Sequence, residues 1–260
     1  MIFLVAFVFV ATWMSLAWAI SRRLQFVTIV DAAWTFSFPT LSLLLCALGE
    51  APVPRKALLL AMVLIWSGRL GGHLVRRMKK HFPKEDTRYA EIQQGWIQKG
   101  GSLAAKSFAM FQFQGFLACV LSVPLVLSFG NANTFPSKWE IAGLVIWALG
   151  VLGESLADRE LARFTSNPGH RGKVCDVGLW RYSRHPNYFC EWILWCGFGL
   201  FSVAANSSCW GLVSPLLMYI LLTRVTGVPW AERQSLRSKG EAYREYQRKT
   251  SEFFPKFPAP

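Results

Sequence analysis

Seven stretches of the chain are almost continuously apolar: residues 2–20, 25–47, 57–75, 107–129, 139–157, 188–205 and 209–228. Each is long enough, or nearly so, to cross a ~30 Å hydrocarbon core as a helix, which takes about 20 residues. Strands are not expected, because the runs are unbroken and too long for them. The pattern predicts an all-α integral membrane protein with seven transmembrane helices. The 188–205 run is the weakest of the seven, since it carries Glu191. No repeat or linker divides the sequence, so residues 1–260 read as one membrane-embedded domain. Its first part, 1–157, holds helices 1–5, and 158–260 holds helices 6–7 with the polar loops and tail.

The polar positions between the runs set the orientation. Residues 2–20 end in Ala17-Trp18-Ala19, which resembles a cleavage site. No positive segment precedes them, however, and Arg22 and Arg23 follow them, so the run reads as a retained helix. With the N-terminus outside, the inside segments are 21–24, 76–106, 158–187 and the tail from 224. These hold 24 of the 28 Lys and Arg residues. The outside loops hold Arg55, Lys56 and Lys138, while Arg69 falls within the third helix. That asymmetry predicts an outside N-terminus and a cytosolic C-terminus.

Composition agrees with the pattern. Hydrophobic residues make up 53% and charged residues 17%, against about a quarter charged in soluble domains. Disordered and collagen-like classes are excluded. The net charge of +13 is largely topological, and anionic lipid accounts for more of it. Nucleic acid is not an expected partner, because the basic segments lie between membrane helices and match no recognised module. The six cysteines form no CxxC pair and the four histidines no HExxH, so neither a disulfide framework nor a metal site is expected.

Charge at membrane depth costs ~2.5–3.5 kcal/mol on insertion scales and points to function. Asp31 lies in the second run, Arg69 in the third and Glu191 in the sixth, with Gln112, Gln114 and Glu154 also within runs. One reading makes Asp31 and Arg69 a structural ion pair. The other gives several helices a shared polar cavity. A carboxyl in a dry site can stay protonated and donate to a substrate carbonyl. Asp31 suits that role, with Trp34 and Trp66 as walls for a flat apolar ligand. Gly68, Gly71 and Gly72 would allow close helix approach.

The densest chemistry runs from Asp158 to Glu191. It includes Arg163, Asn167-Pro168-Gly169-His170-Arg171 and Gly178-Leu179-Trp180-Arg181-Tyr182-Ser183-Arg184-His185-Pro186-Asn187-Tyr188. Arg and Lys near backbone amides suit phosphate. Asn187 and Glu191, four apart, share a helical face and could read a carboxamide. A dinucleotide offers both groups. No GxGxxG follows a strand and no GxxxxGK[ST] is present, so a Rossmann or P-loop fold is not indicated.

The Gly178–Tyr188 element followed by Glu191 resembles the C-terminal signature of the membrane steroid 5-alpha-reductase family, particularly its bacterial branch. The resemblance extends to Asp158, Tyr243, Tyr246 and Phe253-Phe254-Pro255. It implies a membrane enzyme that uses NADPH to reduce the C4=C5 double bond of 3-oxo-Δ4 steroids or a similar lipid enone. Hydride goes to C5, and a buried carboxyl polarises the 3-oxo group. By similarity, 1–157 is the substrate side and 158–260 the cofactor side. Asn187 and Glu191 would meet the nicotinamide, with Tyr182, Arg184 and His185 around the cofactor. Asp158, Arg163 and Arg171 would serve its ribose and phosphates, and Arg76, Arg77 and Lys80 would close over it. Glu232, Arg237 and Tyr246 are further candidates. The catalytic pair would be Asp31 and Glu191, with Trp34, Trp66 and Arg69 at the substrate. This chain departs from the family at two places. Asp31 stands where animal enzymes have Glu, and Trp66 aligns with a substrate-holding Tyr.

A related Arg-His-Pro element occurs in isoprenylcysteine carboxyl methyltransferases and sterol reductases. An S-adenosylmethionine-dependent membrane methyltransferase is therefore the alternative, although a methyl donor without phosphates leaves the loop arginines unemployed. A transporter would need a polar track across the bilayer, and the outer half-helices are nearly all apolar. The expected partners are a lipophilic small molecule and membrane lipid. The expected location is a bacterial inner membrane or an endoplasmic reticulum membrane.

Overall fold

A computed structural model describes residues 1–205 and 209–257. Among these the chain is helical throughout, with no strand. It forms two compact units, Met1–Pro136 and Ser137–Pro260. The boundary falls ahead of the helix that carries Asp158, so that helix belongs with the C-terminal unit.

The first unit holds α1 (Ile2–Leu24), α2 (Ile29–Leu48), α3 (Val53–His81), α4 (Thr87–Gln98), α5 (Leu103–Leu121) and α6 (Val123–Phe129). The second holds α7 (Lys138–Ser166), α8 (Pro186–Ser202), α9 (Val213–Ile220), α10 (Val228–Lys239) and α11 (Glu241–Lys249). A π-helical turn, Leu221–Val225, joins α9 to α10. Among the described residues, six helical stretches are long and apolar enough to cross a bilayer: Ile2–Leu24, Ile29–Leu48, Val53–His81, Leu103–Leu121, Lys138–Ser166 and Cys209–Lys239. The remaining expected span forms α8, whose 17 residues reach only about 25 Å at 1.5 Å each.

Lipid explains which side chains face outward. On α7, Ile141, Val145, Leu149, Leu152 and Leu156 are all exposed. They recur every three or four residues and so make one apolar stripe. In water such a stripe would be an association surface. In a bilayer it is the solvated face.

Within the first unit, α1 packs on α5 through polar and aromatic contacts. Trp18 donates to Ser107 Oγ at 3.1 Å and sits edge-on to Phe108. Gln112 donates to Ser15 Oγ at 3.1 Å, so this intramembrane amide is a packing group. Gly71 receives the Phe36 ring, whose tip lies 2.7 Å from where a Cβ would stand, whereas Gly68 has open space around it. Of the glycines expected to permit close approach, Gly71 does so. Arg55, expected in an outside loop, is in α3 and fully buried. Its guanidinium donates to the carbonyls of Asn131, Asn133 and Thr134.

In the second unit, a capping box of Ser137 and Glu140 starts α7, satisfying two orphan N–H groups at once. α7 and α8 then approach at backbone distance. A Cβ on Gly197 would stand 2.5 Å from Trp147 N, and one on Gly143 would stand 2.6 Å from Phe201 N. Small residues admit this contact, as in membrane helix pairs generally.

Candidate functional site

The first unit centres on Asp31. Arg88 Nη2 donates to its Oδ2 at 2.6 Å, and the Tyr89 hydroxyl donates to its Oδ1. The same Nη2 also lies 3.1 Å from the Tyr89 oxygen, and the guanidinium stacks over the Tyr89 ring at 4.6 Å. Burial first, and then the Asp31 carboxylate, hold the Tyr89 hydroxyl well above the usual tyrosine range. It therefore keeps its proton and remains a donor.

The segment before α4 is fastened to the start of α2. Glu85 accepts from Val27 N and, at 3.0 Å, from Thr28 Oγ1. Asp86 N donates to Thr28 Oγ1 at 3.2 Å. The Asp86 carboxylate caps α4 by accepting from Arg88 N at 3.0 Å and pairs with Arg77. This capping fixes where α4 begins and aims Arg88 and Tyr89 at Asp31. The Asp-Thr-Arg-Tyr order carries an N-cap signal, and α4 lies within the basic 76–106 segment.

Trp34, Phe38 and Trp66 form an edge-to-face aromatic cluster, with ring centroids 5.1–6.3 Å apart. The Trp34 indole N–H is buried without a hydrogen-bond partner among the described residues. Asp31 bonds Arg88, so the Asp31–Arg69 ion pair, one of the two readings of the sequence, does not form. Arg69 is half-buried on α3. Arg76, Arg77 and Lys80 are exposed near the α3 C-terminus, where cations complement the helix dipole.

The second unit has three polar groupings. On the first turns of α8, Asn187 Nδ2 lies 3.4 Å from Asp158 Oδ1 of α7. One turn on, the buried Glu191 accepts from Trp195 Nε1 at 2.9 Å. Asn187 and Glu191 do share a face, as their spacing requires.

The second grouping is the corner at Arg184-His185. Arg184 Nε and His185 Nε2 each lie 2.9 Å from Glu232 Oε1. Arg184 Nη1 donates to the Gln247 and Thr250 carbonyls at 3.2 and 2.6 Å. This side chain, expected at the cofactor, holds the C-terminal tail. Tyr182 packs its ring edge-on against Phe257.

The third is an open cleft of about 1200 Å³, walled by the end of α7, the 170–178 segment and α11. Arg163, Lys173, Arg181 and Lys249 line it, with Glu160, Asp176 and Glu245. The side chains of Arg163, Lys173 and Arg181 have no hydrogen-bond or ion-pair partner among the described residues. Glu160 is occupied, accepting from Leu179 N at 2.8 Å, and Glu245 pairs with Lys249. Gly178 is required there. Its φ is +58°, and a Cβ would lie 2.2 Å from Glu160 Oε1. Phe164 stacks on His170 with centroids 4.2 Å apart, and Tyr246 supplies a second aromatic wall. Burial holds the Tyr246 hydroxyl above its ordinary range, and that hydroxyl donates to the Trp180 carbonyl.

Of the expected cofactor residues, Arg163 and Tyr246 therefore meet in the cleft. Asp158, Asn187 and Glu191 gather at α7 and α8, and Arg184 and His185 at the corner. Arg171 and Arg237 are exposed and do not line the cleft. Arg88, Tyr89, Lys173, Arg181 and Lys249 were not singled out from sequence.

Comparison with known proteins follows the same extent. An uncharacterized Schizosaccharomyces pombe protein is 26% identical over 271 residues, covering 92% of this chain and 75% of that protein. No solved structure matches the chain. Residues 17–250 match a family described as "Protein of unknown function (DUF1295)", and with that span matched, the chain belongs to the DUF1295 family.

Proposed function

We propose that this protein is an NADPH-dependent membrane reductase acting on the C4=C5 double bond of 3-oxo-Δ4 steroids or a similar lipid enone. The observation that carries the reading is the cleft of the second unit, where three cationic side chains without partners among the described residues line about 1200 Å³ of open space. Ligand pockets are commonly ~300–1,000 Å³, so a dinucleotide has room. Unpaired Arg and Lys suit phosphate, and the Phe164 and Tyr246 rings suit a base. Asn187, with a carbonyl and an amide, is chemically matched to a carboxamide.

Bound NADPH would supply the hydride for C5. Reduction of the enone then consumes one further proton, at C4, and leaves a saturated ketone and NADP⁺. The chain's own part is to hold the 3-oxo group and to stabilise the charge that develops on its oxygen. The Tyr89 hydroxyl is the donor suited to that task. Its single proton lies on Asp31 Oδ1, so donation to the ketone requires the hydroxyl to turn from Asp31, while Arg88 keeps the carboxylate compensated. The Trp34 N–H is a second donor beside an apolar aromatic wall. In this reading Tyr89 supplies the hydroxyl that Trp66 lacks.

We also place seven crossings, with an outside N-terminus and cytosolic C-terminus, in a bacterial inner membrane or an endoplasmic reticulum membrane. The charge pattern supports counting α8. Without its crossing, the six cations of 158–187 and the eight of the tail from 224 would lie on opposite faces, against the positive-inside tendency.

The test uses purified full-length protein in detergent. NADPH with a 3-oxo-Δ4 steroid is followed by loss of NADPH absorbance. In parallel, a labelled methyl donor is supplied with a prenylcysteine. Steroid-dependent NADPH oxidation is expected, and Glu191→Ala and Asp31→Ala should each abolish it in folded protein. Methyl transfer without NADPH oxidation would overturn the reading.

A further inference from the structure

The cleft has one wall that cannot stand alone. α11 has nine residues and is strongly polar, and isolated helices below about 12–15 residues are marginal in water. Yet α11 supplies Glu245, Tyr246 and Lys249 to the cleft. Its position has to be set from outside.

Two anchors set it. One is the Tyr246 hydroxyl, bound to the Trp180 carbonyl. The other is a single carboxylate. Glu232 of α10 accepts from Tyr243 at 2.8 Å and from Gln247, both on α11. It also accepts from Arg184 and His185, each at 2.9 Å. Oε1 takes Arg184, His185 and Tyr243, and Oε2 takes Gln247, so both carboxylate oxygens are engaged within the chain. Arg184 completes the link by donating to Gln247 O and Thr250 O, carbonyls at the end of α11. Its backbone N–H donates to Ser251 O at 2.8 Å. The Arg184 and Glu232 side chains are only 10% and 12% exposed. Charge-assisted bonds of this kind, shielded from water, are the strong ones.

We propose that Glu232 is a positioning residue. It joins α10, α11 and the Arg184-His185 corner, and thereby sets the register of Tyr246 and Lys249 on the wall of the anion cleft. The consequence for the cleft rests on the cleft being the nucleotide site proposed above.

The test measures two things on purified full-length chain in detergent. One is affinity for NADPH and for 2′,5′-ADP by calorimetry, well below the melting temperature of each variant. The other is amide hydrogen exchange over residues 241–250. Glu232→Gln keeps the shape but removes the charge and turns one acceptor into a donor. It should weaken both probes roughly tenfold and speed exchange in α11, while α7 and α8 exchange as before. Glu241→Gln breaks only exposed pairs on the same helix and should change neither reading. Two results for Glu232→Gln would overturn the proposal: unchanged exchange in α11, or faster exchange there with wild-type affinity. If the wild-type chain binds neither probe, the nucleotide reading fails, and exchange alone then decides whether Glu232 holds α11.

Discussion

Arg88 reaches Asp31 across 57 residues of sequence and donates from Nη2 to Oδ2 at 2.6 Å. The acid that looked isolated in an apolar run is thus compensated from a helix outside the apolar pattern. A charge near the membrane is tolerated when a partner and hydrogen bonds compensate it. Here a capped amphipathic helix delivers both the cation and a phenol to the two carboxylate oxygens.

The phenol is testable apart from the fold. Tyr89→Phe removes the donor and keeps the ring under the Arg88 guanidinium. We expect kcat for enone reduction to fall about 100-fold, the scale of losing one oxyanion donor, with a smaller change in KM. Steady-state kinetics on the purified variant reads this directly. Unchanged kcat would remove Tyr89 from the chemistry.

The ion pair is testable through stability. Arg88→Met leaves Asp31 with only Tyr89 and should cost roughly 1–3 kcal/mol. Adding Asp31→Asn should recover part of that loss, because the uncompensated charge is gone. A double-mutant cycle by denaturation in detergent measures the coupling.

Glu85 carries a pH signature. Burial, the leading cause, raises its carboxyl above the ordinary value of 4.5, so the folded state binds its proton more tightly than the unfolded chain does. The stabilisation from that proton is fully present below the unfolded value and is lost as pH rises through the folded one. Glu85→Gln mimics the protonated form and can still accept from Val27 N. We expect it to raise the melting temperature at neutral pH, with the gain over wild type vanishing below pH about 4. Parallel pH–melting curves check this, and a lowered melting temperature at neutral pH would contradict it.

The cleft cations should discriminate cofactors. Lys173→Met and Arg181→Met each remove a cation that has no partner among the described residues. Each should weaken NADPH binding about tenfold, as for the loss of one charge-assisted contact. NADH should be affected less by whichever cation meets the 2′-phosphate. Titration with both nucleotides separates the two roles.

The α7–α8 contact should be intolerant of size. Gly197→Ala places a methyl 2.5 Å from Trp147 N, against backbone that cannot yield locally. Overpacking of this kind costs ~1–3 kcal/mol. Gly68→Ala, with nothing within 4 Å of its Cβ, should cost little. Thermal unfolding of the pair of variants compares them.

By itself the sequence determined the helical class, the membrane setting, the apolar segments and the shared face of Asn187 and Glu191. These follow from composition and from periodicity along one chain, and a bilayer enforces them because every backbone polar group within it must be satisfied locally. It also marked Asp31 as unusual, since an acid in an apolar run needs compensation. What it left open was the partner. The sequence offers Arg69 as a partner beside the alternative of a shared polar cavity, whereas the pairing with Arg88 depends on where Asp86 starts a helix and how Glu85 ties that helix to α2. Likewise Arg184 read as a cofactor residue, because a cation in a polar loop looks alike whether it meets a ligand or a carboxylate. Only the tertiary structure brought Glu232 and α11 to it, while leaving Arg163, Lys173 and Arg181 without partners among the described residues around a cleft. Residue type states what a side chain can bind; which groups lie within its reach is set by long-range packing, to which local pattern is blind.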